Sequence, residues 1–170
     1  MIRKIISGGQ TGADRAALDF AIGRGIPHGG WVPRGRRADD GPLSGHYLVT
    51  EMATPGYPER TERNVLDSDG TVIITHGAPR GGSALTIGFA KAHARPWLHL
   101  DLQKMEVVRA ADRLRSWLVE NHISVRNVAG PRTSEDARIY ETTGEVLEET
   151  LGRGTKEPRS SGRGQSNRIR

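Results

Sequence analysis

Three stretches of the chain combine glycine with hydroxyl or amide side chains, Ser7 to Asp14 (SGGQTGAD), Arg80 to Ser83 (RGGS) and Gly130 to Ser134 (GPRTS), and the last two add an arginine. Bare backbone presents N–H groups without steric cover. A helix beginning at such a turn adds the positive end of its dipole, and a guanidinium clamps oxyanions bidentately. The chemistry in view is recognition of an anion, with phosphate the first candidate. The candidate contacts are Gly8, Gly9, Gln10, Thr11, Gly12, Arg34, Arg80, Gly81, Gly82, Ser83, Thr86 and Arg132.

Known phosphate loops do not account for the first stretch. Gly8, Gly9 and Gly12 fit neither G-x-G-x-x-G nor a Walker A loop, since no Lys-Ser/Thr follows. A dinucleotide site would also place an acid near the end of a second strand. Arg34, Arg36 and Arg37 stand there instead, which disfavours NAD and suits another anion. No catalytic residue and no metal ligand is assigned. The six histidines show no H-x-H or H-x₃-H spacing, and the absence of cysteine excludes disulfides, thiolate ligation and a cysteine nucleophile. Were the site an enzyme's, Asp14, Asp39 or Glu62 would supply the base.

Plainer roles compete with each assignment. The glycines can serve tight packing of helix on strand, the arginines surface ion pairs, and Thr11 the cap of a helix. Arg60, Glu62 and Asn64 fall on a predicted helix, where a charged solvent face is the commoner role. Asp39 and Asp40 fit a solvated loop.

The elements that must position these residues follow from periodicity. Strands are predicted at Lys4–Ser7, Pro27–Val32, Thr71–Thr75, Pro96–Leu100 and Ile123–Val128, each followed by a helix. The first helix starts near Thr11, with Thr11 and Asp14 as a capping box and Gly23/Gly25 as its stop. The others are predicted at Thr61–Leu66, Gly82–Ala94, about Val107–Leu118, and Ser134–Leu151 with Ser134 as its opening residue. A long loop, 33–59, precedes the second helix. Alternating strands and helices imply an α/β fold, a doubly wound and mostly parallel sheet with helices on both faces. Ligands of such sheets gather at the carboxyl ends of the strands, where all three glycine turns fall.

Residues 1–151 are expected to be one domain and 152–170 a basic disordered tail. The net charge of +5 comes entirely from the tail, which holds six Lys/Arg against Glu157 and has Ile169 as its single aliphatic residue. Without an aromatic residue to stack on bases, it gives no expectation of nucleic-acid binding. Neither a signal h-region nor a membrane span is legible, so a cytoplasmic protein without a membrane partner is expected.

The motifs SGGQTGAD (7–14), GWVPRGRRADDGPL (30–43), ERTERNVLDSDGTVI (59–73), GGSALT (81–86) and VAGPRTSE (128–135) together resemble the molybdenum-cofactor carrier proteins. That family is a branch of the Rossmann-like SLOG superfamily, and the resemblance runs in order through residues 2–151. It implies a carrier or binding protein with molybdenum cofactor (molybdopterin) as cargo, or another phosphorylated pterin or nucleotide-like anion. It also implies a homo-oligomer, dimer or tetramer. The superfamily includes the lonely-guy phosphoribohydrolases, whose PGGxGTxxE motif carries a catalytic glutamate; Gly88 stands at the matching position here. A nucleotide-processing enzyme of that type, or a nucleotide or ADP-ribose sensor, is the alternative.

Overall fold

The first strand, β1 (Lys4–Ile6), is short but buries Ile5 and Ile6, and it runs into the glycine turn that starts α1 (Ala13–Gly23). The computed structural model describes residues 2–152. The expected tail, 152–170, lies outside the described residues except for Gly152. After α1 come β2 (His28–Gly29), β3 (Trp31–Val32), β4 (Thr50–Glu51), α2 (Tyr57–Leu66) and β5 (Gly70–Thr75). The remaining elements are α3 (Gly81–Ala92), β6 (Trp97–Asp101), α4 (Val107–Glu120), β7 (Val125–Ala129) and α5 (Ile139–Leu151).

Five strands form one sheet in the order β2-β1-β7-β5-β6, and every pair is parallel. The chain leaves β1 toward one edge and β5 toward the other, with β7 inserted between them. Right-handed crossovers therefore place the α2–α3 pair on one face and the row α1–α5–α4 on the other. This is the expected doubly wound, Rossmann-like α/β class. The β5 sequence GTVIIT is buried along its whole length, as a central parallel strand covered on both faces must be. Ile5, Val72, Ile74 and Val128 meet Ala17, Leu114, Val146 and Leu147 in the core under α1, α4 and α5. The opposite face carries polar groups at the centre of the sheet, where Asn127 Nδ2 donates to Thr71 Oγ1 at 3.2 Å.

Three expectations are corrected. The single strand Pro27–Val32 is two. It breaks at Gly30 (φ 121°), where a Cβ would lie 2.1 Å from the Ser7 carbonyl oxygen, and β3 turns away to pair with β4 from within the long loop. Thr11 and Asp14 form no capping box. Gly12 is the N-cap residue of α1 with no side-chain cap, while the Asp14 carboxylate accepts from the Gln10 N–H and from Arg60. The last helix begins at Ile139, because the Ser134 hydroxyl donates to Asp39 and residues 131–138 form a turn across the sheet edge.

The loop between β3 and α2 is packed, not merely solvated. Leu43 and Tyr47 join Leu18 and Val32 in a second apolar cluster. Arg36, in the left-handed region at φ 54°, donates to the carbonyls of Leu43, Ser44 and Tyr47 and ties the loop to itself. Among the described residues no helix is long and apolar enough to cross a membrane.

Candidate functional site

The carboxyl ends of β1, β7 and β5 meet the start of α3 around two neighbouring spaces. The first is a narrow cleft of about 60 Å³ lined by Gly8, Gln10, Asp14, Arg60, Asn64, Gly82, Ser83, Thr86, Arg132 and Glu135, with 127–130 of β7 and its turn as the floor. The second is a cavity of about 500 Å³ lined by Thr75, His76, Gly77, Arg80, Ser83, Gln103, Pro131, Glu135 and Asp136. Ser83 and Glu135 line both. Since α3 opens at Gly81, the N–H groups of Gly81 and Gly82 have no partner within the helix, and Gly82 lines the cleft.

A hydrogen-bonded frame holds the cleft walls. Asp14 and Arg60 form a buried ion pair at 3.0 Å, their side chains 9% and 10% exposed. Burial pushes the Asp14 carboxyl above its usual range, outweighing the nearby charge of Arg60 and the Gln10 N–H. Gln10 bridges the first glycine turn to the long loop: its Oε1 accepts from the Thr11 and Asp39 N–H groups at 2.9 and 2.8 Å, and its Nε2 donates to Asp39. Asp39 also accepts from Arg132 at 2.8 Å and from the Ser134 hydroxyl at 3.0 Å. One loop carboxylate thus joins the turns after β1 and β7. Arg60 and Arg132, both in the cleft lining, lie over the Tyr57 ring, 5.5 and 5.7 Å from its centroid.

The sequence candidates separate into three groups. Gly8, Gln10, Gly82, Ser83, Thr86 and Arg132 line the cleft, and Arg80 lines the wider cavity, while Gly81, the first residue of α3, lines neither. Thr86 turns its hydroxyl back to the Gly82 carbonyl, so its polar atom is already engaged. Gly9, Thr11 and Gly12 line neither space and hold the turn together. A Cβ at Gly9 would lie 2.9 Å from Leu43 and Val32, one at Gly12 would lie 2.4 Å from the Pro131 carbonyl oxygen, and Thr11 Oγ1 accepts from the Thr133 N–H. Arg34 lines neither space. It is exposed beside β4, its N–H donating to Thr54.

Residues read as solvent-facing turn out to build the site. Arg60 is buried against Asp14. Asn64, also on α2, is 2% exposed and clamps β3 by accepting from the Trp31 N–H and donating to the Trp31 carbonyl. Glu62 does face outward, onto His93 at 2.7 Å. Glu135, His76 and Asp136 carried no spacing signal and are brought together only by the strand order.

The chain is similar over residues 5–151 to the model of the circularly permutated YpsA SLOG family. A solved structure from Syntrophus aciditrophicus SB, titled "Putative molybdenum carrier protein", is 56% identical, with TM-score 0.88 over 88% of this chain and 95% of that one. No curated protein matches the chain.

Proposed function

The chain belongs to the circularly permutated YpsA SLOG family, and from that premise we propose that it is a carrier for molybdenum cofactor or a related phosphorylated, nucleotide-like ligand, held at the carboxyl edge of the sheet. One observation carries the reading: a narrow cleft lined in part by Gly8, Gly82, Ser83 and Arg132 shares Ser83 with the lining of a cavity of about 500 Å³, within the range of about 300–1,000 Å³ usual for small-molecule sites. The cleft suits a phosphate group, and the wider space suits a flat heterocycle. In this reading Gly8, Gly82, Ser83 and Arg132 bind the anion, and Arg80 and Gly81 meet it at the mouth. Gly9, Gln10, Thr11 and Gly12 shape the turn, Thr86 backs it, and Arg34 makes no ligand contact. The name of the structural neighbour supports molybdenum as part of the cargo.

An enzyme reading has less support. Asp14 is paired with Arg60, Asp39 with Arg132 and Glu62 with His93, so none of these carboxylates is free to serve as a base. The full-length protein, purified from cells grown with molybdate, is expected to carry a phosphorylated pterin and molybdenum in native mass spectrometry and metal analysis. Recovery of a different bound small molecule, or release of adenine from AMP at an enzymatic rate, would overturn the carrier assignment.

A further inference from the structure

Arg60 is 8% exposed and lines the narrow cleft, yet only part of its guanidinium is engaged. Nη1 donates to Asp14 Oδ2 at 3.0 Å, and Nε is buried with no partner among the described residues. A buried donor without an acceptor is unfavourable, and more so on a charged group. Gly82 and Ser83, in the first turn of α3, line the same cleft, and the Gly82 N–H has no partner within its helix. A buried guanidinium from α2 and an open helix start from α3 therefore border one small space, and the group that matches both is an oxyanion.

Asp14 is the counter-charge already present. Burial favours its neutral form, while the charge of Arg60 and the Gln10 N–H favour the ionised one; burial prevails, and the carboxyl sits above its usual range. Other charged groups around the pair have partners of their own. Arg15, on the same helix, is held by Asp40, and Arg132, in the turn after β7, is shared between Asp39 and Glu135. From the first glycine turn, α3 and β7 the cleft lining receives no titratable side chain. An oxyanion on Arg60 adds a second negative charge beside Asp14 and takes over part of the attraction that keeps the carboxylate ionised.

Resting on the reading of the cleft as an anion site, we propose that Arg60 is a further anion-binding residue and Asp14 its resident counter-charge, so that an oxyanion enters the cleft together with a proton taken from solvent by Asp14. No covalent bond changes; the proton replaces Arg60 as the partner of the carboxylate charge. The sign of the coupling follows. Affinity is highest at low pH and is lost as pH rises from the Asp14 pKa of the empty cleft through the higher one of the filled cleft.

Sulfate, which stays a dianion across the range, tests the coupling in a chemical-shift titration of the full chain at constant ionic strength. Wild-type affinity should fall about tenfold or more between about pH 5 and 9, the effect of a one-unit difference between the two Asp14 values. Asp14→Asn keeps an acceptor for Arg60 and cannot ionise, so it should remove most of this slope and bind sulfate more tightly than wild type at the upper pH. Arg60→Gln is made in the Asp14→Asn background, because a neutral hydrogen-bonded pair leaves no stranded buried charge. That double variant should bind about tenfold or more weakly than Asp14→Asn alone. A wild-type slope retained in Asp14→Asn, or a double variant that binds as well as Asp14→Asn, overturns the proposal and leaves the anion cleft standing. Failure of sulfate to bind wild type at any pH overturns both.

Discussion

The guanidinium of Arg60 fills the notch left by the missing side chain of Gly8: a Cβ at residue 8 would stand 1.3 Å from Arg60 Nη1 and 2.8 Å from Asp14 Oδ2. Glycine is required there because a buried ion pair from α1 and α2 is pressed against the backbone of the turn. Gly8→Ala is expected to lower stability by about 3 kcal/mol, through overpacking and a displaced Arg60. Arg60→Ala alone should cost about 3–5 kcal/mol by leaving Asp14 buried without its partner. The double variant should cost clearly less than the sum, because removal of Arg60 vacates the notch. Urea unfolding of the four proteins measures the cycle, and simple additivity would contradict the packing.

Asp14 and Asp69 should make opposite contributions to the pH dependence of stability. Asp14 has its folded pKa raised by burial, so its contribution is fully present below the unfolded value, near 3.8, and is lost as pH rises through the folded one. Asp69 is held below its usual range. Burial opposes this, but Asp69 accepts from the Val125 N–H at 2.7 Å and from the Ser124 N–H and hydroxyl at 2.9 Å. Its contribution is present above the unfolded value and disappears as pH falls through the folded one. Relative to wild type, Asp14→Asn should therefore compare most favourably at neutral pH and Asp69→Asn at acid pH. Denaturant midpoints from about pH 3 to 7 check this, and parallel profiles would refute it.

Arg80 and Arg132 should differ in how they support anion binding. Arg132 is already held by Asp39 at 2.8 Å and arrives preorganised, whereas Arg80 is exposed at the mouth of the cavity. Arg132→Ala is expected to weaken pyrophosphate binding by about 1.5–3 kcal/mol and Arg132→Lys by less, since a lysine keeps the charge without the fork. Arg80→Ala should cost less than Arg132→Ala. Unchanged affinity in both alanine variants would leave Arg132 as the surface partner of Asp39 and Arg80 without a part in binding.

The order of strands and helices was legible because β5 is an unbroken apolar run and α4 repeats its apolar residues with a helical period. The opposite outcome at Arg60 and Asn64 has a physical cause. Their spacing on α2 is that of a polar face, and only the approach of the Gly8 turn, Asp14 and β3 turns that face inward. The same limit applies to His76 and Asp136, 60 residues apart in sequence. Their meeting depends on β7 lying beside β5, which no local pattern specifies. Gly9 and Gly12 were legible as required glycines, but the requirement comes from Leu43, Val32 and the Pro131 carbonyl, none of them adjacent in sequence. Both have positive φ, 71° and 81°, so valine at either position should cost stability as well as any affinity.

Arg126 is the largest fully buried side chain, 1% exposed, and its three guanidinium nitrogens have no hydrogen-bond partner among the described residues. It sits on β7 opposite Ile5 and two residues before Val128, which puts it on the apolar face under α1, α4 and α5. Burial alone pulls its pKa down to about 10. A folded pKa below the unfolded one means that the charged form at neutral pH works against folding, and that this penalty fades only as pH rises past about 10. An uncompensated buried charge replaced by an apolar side chain of similar length commonly stabilises by about 1–4 kcal/mol. Arg126→Met is therefore expected to raise the urea midpoint at pH 7 and to leave pyrophosphate binding unchanged, since the residue lies at the amino-terminal half of its strand, away from the crevice. A midpoint lower than wild type would show that the guanidinium has a compensating partner in the folded protein.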